Sequence, residues 1–374
     1  MLSFPRQLYL VPDITSFILV YQRDDHIFFI AKGSGDVRIC LMCRQRNMET
    51  YGICDNCKAI NNRMRKESCD LSGRFAVVTG GRIKIGYAVC LRLLRMGASV
   101  IAVTRYPKIA MQNYMQEADY PSFADRLHII GFDLLRVDRI NELMAQIAEL
   151  CGGRLDILVN NAAQTVKKST EYYAELTARE EALRLTDNTI VPITGQINMP
   201  MLMPSLMPAD YGEKPRENSW TRMPEEITPQ ELLEVQLINV TAPFLLTNGL
   251  RKYMRASENI NKFVINVSSV EGRFNTKQKL ARHVHTNMAK ASLNMMTHSI
   301  ASDFARDNIY VYSCDPGWVS NQFPPAYEIS RDFEPYLTFE DGAARVLYPV
   351  VKNCGEQKIK DSGSFYKDYR VIDY

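Results

Sequence analysis

The run Phe75-Ala76-Val77-Val78-Thr79-Gly80-Gly81-Arg82-Ile83-Lys84-Ile85-Gly86 decides how this chain folds. A short apolar run ends in a glycine turn. An apolar-periodic segment from Tyr87 to Met96 follows, closed by Gly97. This reads as strand, tight turn and helix, the arrangement that holds a dinucleotide pyrophosphate against a helix N-terminus. A second strand, Ser99 to Thr104, ends in Arg105. The βαβ order with a basic residue closing the second strand predicts NADP(H) rather than NAD(H).

Working outward, Leu155 to Val159 reads as a buried strand ending in Asn160-Asn161-Ala162-Ala163. Phe263 to Ser269 is another, ending in Asn266-Val267-Ser268-Ser269. His285-Thr286-Asn287-Met288-Ala289-Lys290 opens a helix, and Val311 to Val319 carries Asp315-Pro316-Gly317-Trp318. In this order the motifs resemble the short-chain dehydrogenase/reductase family, over roughly Leu71 to Val351. The resemblance implies a doubly wound, Rossmann-like parallel α/β sheet and NADP(H)-dependent carbonyl/alcohol chemistry.

Gly80 permits the tight turn, Gly86 lets the helix approach the sheet, and the Thr79 hydroxyl can fix the turn. Ile85 and Ala162 complete the expected cofactor wall. Where the family has a third glycine this chain has Lys84. Either the loop stands further from the pyrophosphate, or the Lys84 ammonium itself meets phosphate. Arg82 and Arg105 are candidates for the 2′-phosphate. By resemblance Asp133 lies beside the adenine, Asn160 and Asn161 steady the sheet under the cofactor, and Pro316 and Gly317 cover the nicotinamide.

The resemblance also implies a catalytic tetrad. Asn239, Ser269 and Lys290 match three members, but the tyrosine position holds Thr286. Thr286 and Lys290 are one helical turn apart and share a face. A threonine hydroxyl is shorter than a phenol and far less acidic, so it is poorly matched to proton donation at neutral pH. Two readings stand. In one, another group supplies the proton: His285 or His283, whose residue type titrates near neutrality, or Tyr172 or Tyr173. In the other, the chain is a silent NADP(H)-binding scaffold or regulator.

Upstream, Cys40-Leu41-Met42-Cys43 and Cys54-Asp55-Asn56-Cys57 are separated by ten residues. Paired CxxC knuckles predict one tetrahedral zinc, and four thiolates leave no open position, so the ion would be structural. The expected organisation is a β-hairpin over 1–35, a zinc ribbon over 36–68, the cofactor domain over 71–352 with an insertion at 164–231, and a tail over 353–374. Thr165 to Arg184 in the insertion reads as a helix, and a Met/Pro-rich segment and a polar loop follow it.

A chain of 374 residues accommodates one large α/β domain with an added module. A net charge of +3 gives no broad basic surface, so nucleic acid is not expected. No apolar run has membrane-spanning length, no signal-peptide layout stands at the N-terminus, and the cysteine usage fits a reducing, cytoplasmic compartment. The expected partners are a small-molecule substrate of unknown identity and a protein at the zinc module. The family also commonly forms homo-oligomers.

Overall fold

The computed structural model describes residues 8–10, 18–23, 26–31, 40–45, 52–183, 190–192, 218–275, 279–320, 322, 335–356 and 359–374. The alternating run near the N-terminus pairs as β1 (Leu8–Leu10), β2 (Ile18–Arg23) and β3 (His26–Ala31), an antiparallel sheet of its own. The expected hairpin, β2 with β3, therefore gains a third strand.

The second sheet is built from β4 (Phe75–Thr79), β5 (Ser99–Thr104), β6 (Leu127–Gly131), β7 (Ile157–Asn160), β8 (Ile190–Pro192), β9 (Lys262–Val267), β10 (Ile309–Asp315), β11 (Phe365–Lys367) and β12 (Arg370–Ile372). Its order is β12-β11-β10-β9-β7-β4-β5-β6-β8, and every pairing is parallel except β11 with β12. The chain winds outward from β4 through β5 and β6, then returns to β7 on the other side of β4. The crevice beyond the ends of β4 and β7 is thus the switch point where open α/β sheets bind ligands.

Alternate residues of β4 feed opposite apolar layers: Ala76 and Val78 on one face, Val77 on the other, all fully buried. The first layer packs under α2 (Lys84–Arg95), α3 (Pro107–Tyr114), α9 (Phe339–Val346) and α10 (Tyr348–Asn353). The second packs under α4 (Ile140–Leu150), α7 (Ala242–Arg255) and α8 (Val284–Ala305). Strands buried on both faces read as continuous Val/Ile/Ala runs, which is why they were legible in the sequence.

The insertion contributes α5 (Thr170–Ala182), the edge strand β8 and the start of α6 (Pro229–Gln236). Its Met/Pro-rich segment, and the part of the polar loop before Asn218, lie outside the described residues. One expectation needs correction. Residues 353–374 are not a tail: β11 and β12 extend the sheet, covering an edge of β10 that would otherwise present unpaired backbone groups. In the cysteine module the second CxxC opens α1 (Asp55–Lys66), with Cys54 at its N-cap, so among the described residues the module is knuckle and helix.

Candidate active site and cysteine cluster

Thr79 ties the two loops of the switch point together. Its hydroxyl accepts the backbone N–H groups of Asn161 and Ala162, each at 3.0 Å, and Asn161 Nδ2 donates back to Thr79 O at 2.9 Å. Gly80 has φ +74°, which glycine adopts freely. A Cβ on Gly86 would stand 2.2 Å from the Gly80 carbonyl oxygen, so the helix start and the turn are in contact that only glycine allows. Asn160 Nδ2 donates to Asn266 Oδ1 (2.8 Å) and Thr247 Oγ1 (3.1 Å), cross-linking β7, β9 and α7 beneath the crevice.

Lys84 has the left-handed φ of +58° that glycine adopts freely. A side-chain-bearing residue holds that conformation at a cost of about 1–2 kcal/mol. Burial and the nearby Lys168 ammonium both lower the Lys84 pKa, so two cations stand together at the mouth of the turn.

The guanidiniums of Arg82 and Arg105 share the ring of Tyr106, at 5.4 and 5.6 Å from its centroid. Tyr173 of α5 stacks on Arg105 at 4.8 Å, and Tyr172 bonds to Arg82. Glu180, at the far end of α5, accepts from the N–H groups of Lys108 (2.7 Å) and Ile109 (2.9 Å), fastening α5 to the start of α3. Asp133 lies close enough to favour the charged form of Arg105. Tyr172 and Tyr173 are thus occupied with the arginine pair, which removes them as proton donors beside Lys290.

Lys290 is buried and donates to Val267 O at 2.7 Å. Burial pushes its ammonium down to about 8, against the pull of the Asp315 carboxylate. The turn carrying Ser269 lies directly on α8: a Cβ on Gly272 would meet the Lys290 carbonyl carbon at 2.5 Å. Ser269 Oγ accepts from Glu271 N at 3.1 Å. Asn239 sits in a π-helical turn, Leu237–Thr241, between α6 and α7. Its Oδ1 accepts from Gln164 N at 2.7 Å and its Nδ2 donates to Gln164 O at 3.2 Å. Such local widening of a helix often marks a functional position.

The two histidines part company. His283 is stacked on Trp220 at 4.0 Å, and its Nδ1 meets Asn287 Oδ1 at 3.0 Å. Burial lowers its pKa and so favours the neutral, packed ring. His285 is buried with Nε2 at 3.3 Å from Glu231 Oε1. Glu231 also pairs with Arg222 at 2.9 Å. Burial pushes the Glu231 carboxyl upward, but His285, Ser219 and Arg222 outweigh it and hold it below its ordinary value. Thr286 Oγ1 and both ring nitrogens of His285 are buried without a hydrogen-bond partner, the 3.3 Å approach to Glu231 being an ion-pair distance without hydrogen-bond alignment. Buried polar atoms are rarely left so, and such a group points to a ligand or water. Glu231 and Arg222 escaped the sequence reading, since a charged residue in an insertion looks like solvated surface.

Beyond the end of β10, Gly317 N donates to Asp315 Oδ1 at 2.8 Å. Pro316 and Ile85 both pack on Gly342 of α9: a Cβ there would lie 3.7 and 3.3 Å from their side chains.

The sulfur atoms of Cys40, Cys43, Cys54 and Cys57 all lie within 4.8 Å of one another, and Cys43 and Cys54 are 3.7 Å apart. A tetrahedron with Zn–S of about 2.3 Å has edges of roughly 3.8 Å, so the four ligands fit a zinc ion. Cys40 Sγ accepts from Cys54 N at 3.3 Å, the type of contact that steadies a thiolate.

The model of the short chain dehydrogenase family matches residues 74–200 and 218–327. An uncharacterised protein, R665, of Acanthamoeba polyphaga mimivirus is 30% identical over 385 residues, covering 92% of this chain and 80% of that protein. A tropinone reductase homologue of Arabidopsis thaliana is 24% identical over 263 residues, covering 70% of this chain and 75% of its own length. Among solved structures, an NADPH-bound carbonyl reductase from chicken fatty liver superposes with TM-score 0.55 at 20% identity, over 81% of this chain and all of that one (100%). A short chain dehydrogenase from Burkholderia cenocepacia in complex with NADP gives 0.53 at 19% identity, over 79% of this chain and 96% of that one. No helix among the described residues is long and apolar enough to cross a membrane. Sheet order, glycine turn, buried lysine and family match agree: this chain belongs to the short-chain dehydrogenase family.

Proposed function

We propose that this protein is an NADP(H)-dependent oxidoreductase interconverting a carbonyl compound and an alcohol, with a proton donor other than the family tyrosine. The supporting observation is the contrast at the head of α8. Lys290 is buried against the turn that carries Ser269, while Thr286 and His285 leave buried polar atoms unpartnered on the same helix.

The cofactor residues are Thr79, Gly80, Ile85, Gly86, Asn161 and Ala162 around the pyrophosphate, with Arg82, Arg105 and Lys84 facing its phosphates. Bound NADPH supplies the hydride. Ser269 orients the carbonyl oxygen, Lys290 holds the ribose, and Asn239 steadies the loop at Gln164. His285 would give a proton to that oxygen, which with the hydride that the cofactor would supply makes the carbonyl an alcohol. Glu231 stands beside the imidazole and orients it, the arrangement expected of an acid–base histidine. The named activities of relatives such as the tropinone reductase homologue support this reading over a silent scaffold. A zinc ion at Cys40, Cys43, Cys54 and Cys57 is a structural part of the same protein.

The test is NADPH oxidation against a panel of carbonyl compounds. His285→Gln should lower turnover by about 10²–10⁴ with cofactor affinity retained. His283→Gln should not lower turnover comparably. Activity unaffected by loss of His285 would refute the donor. Tight NADPH binding with turnover only in Thr286→Tyr would refute the enzyme reading itself.

A further inference from the structure

Helix α9 is wedged between the cofactor loops and the cysteine module. One of its faces is Gly342, where Ile85, Pro316 and Val319 pack so closely that a Cβ would meet them at 3.3, 3.7 and 3.2 Å. These residues belong to the phosphate turn and to the loop expected to cover the nicotinamide. One turn further along the same helix stands Arg345, among the largest fully buried side chains of the protein.

Arg345 joins separate parts of the chain. Its NH2 group donates to Asn61 Oδ1 of α1 at 2.9 Å and lies 3.8 Å from Met42 Sδ, inside the first knuckle. Its Nε pairs with Asp368 at 3.2 Å, and its NH1 group donates to Tyr369 OH at 3.3 Å. Asp368 and Tyr369 have φ of +48° and +65°, a strained turn between β11 and β12 that these contacts hold in place. Lys367, the preceding residue, pairs with Asp315 at 2.8 Å, and Asp315 in turn fixes Gly317 N. A chain of charges and hydrogen bonds thus runs from the module through Arg345, Asp368, Lys367 and Asp315 to the nicotinamide loop.

Two further contacts brace the far side of that loop. Tyr336 packs on Gly52, next to the second knuckle, so closely that a Cβ at Gly52 would lie 2.5 Å from its ring. Leu337 joins the apolar cluster of Cys40, Met42, Cys57, Met64 and Ala344, and also touches Gly317. At the other end of α1, Arg92 of α2 donates to the carbonyls of Met64 (2.7 Å) and Arg65 (3.0 Å). The module is therefore seated on the cofactor helix as well as on α9.

We infer that the zinc-loaded cysteine module is a positioning element for the cofactor site: it seats Arg345 and α9, and through them sets the Asp315–Val319 loop in its NADPH-binding position. A module of this size folds around its metal, because the thiolates repel one another and have little core without it. Loss of zinc would free Asn61, Met42 and Leu337 and leave part of the Arg345 donor set buried without partners. The inference rests on the NADPH and zinc readings above.

The experiment measures zinc content and NADPH affinity on the full chain. Affinity is read by nucleotide fluorescence, before and after zinc is released with a thiol-reactive mercurial and a chelator, then after thiol reduction and zinc return. Zinc release should weaken NADPH binding about tenfold or more, and zinc return should restore it. Asn61→Ala, which leaves all four cysteines intact, should retain about one zinc per chain yet bind NADPH several-fold more weakly. Equal NADPH affinity with and without zinc, in protein whose far-ultraviolet circular dichroism shows the large sheet intact, would overturn the coupling alone. Absence of zinc from the purified protein would overturn the metal site, and absence of NADPH binding in both states would overturn the cofactor reading.

Discussion

Replacing Arg105 tests the cofactor assignment most directly. Its guanidinium shares the Tyr106 ring with that of Arg82, at 5.6 and 5.4 Å, and burial, joined by the Arg105 charge, lowers the Arg82 pKa. A 2′-phosphate between the two would offset that repulsion. A charge-assisted contact to phosphate contributes roughly 1.5–3 kcal/mol. At about 1.4 kcal/mol per tenfold, Arg105→Ala should weaken NADPH binding by roughly 10- to 100-fold. The nearby Asp133 carboxylate, deprived of its cation, adds to the loss by repelling the same phosphate. NADH lacks the phosphate, so its affinity should change by less than about threefold. The assay is fluorescence titration of both cofactors at two salt concentrations, since the NADPH effect should shrink as salt screens the site. An equal loss for both cofactors would place Arg105 at a part they share, or mean that α5 had come away with Tyr173. No loss for either would refute the phosphate assignment.

Other outcomes follow from the same geometry. Gly86→Ala puts a methyl group 2.2 Å from the Gly80 carbonyl, so the phosphate turn must shift; NADPH binding should be lost in calorimetry while the melting transition moves by only a few degrees. Lys290 has an ordinary lysine value near 10.5 when unfolded and about 8 when buried. Between those values the unfolded chain holds the extra proton, so folding stability should rise with pH across that window while cofactor affinity falls as the ammonium is lost. Urea titrations and NADPH titrations at pH 7 to 10 would show the two opposite trends, and Lys290→Met should flatten both.

What the sequence determined by itself was local. The glycine turn, the buried Val/Ile strands, the lysine one turn after Thr286 and the two CxxC pairs are each written within a dozen residues. Their physics is short-range: backbone conformation, strand burial, helical spacing and knuckle geometry. Where Lys84 departs from the family pattern, sequence could pose the question, and the backbone answered it with a positive φ.

Only the tertiary structure decided the rest. β8, β11 and β12 are three residues each, too short to carry a period, and exist because a neighbouring strand offers an unpaired edge. His283 and His285 look alike in sequence, but one meets Trp220 and the other Glu231, from segments more than fifty residues away. Tyr172 and Tyr173 turned out to sit on arginines rather than beside Lys290. The burial of Arg345 depends on Met42, Asn61 and Asp368, which only folding brings to one point. A charged side chain in a sequence reads as solvent-facing by default. Whether it is instead buried and paired depends on partners whose distance along the chain leaves no trace in local pattern.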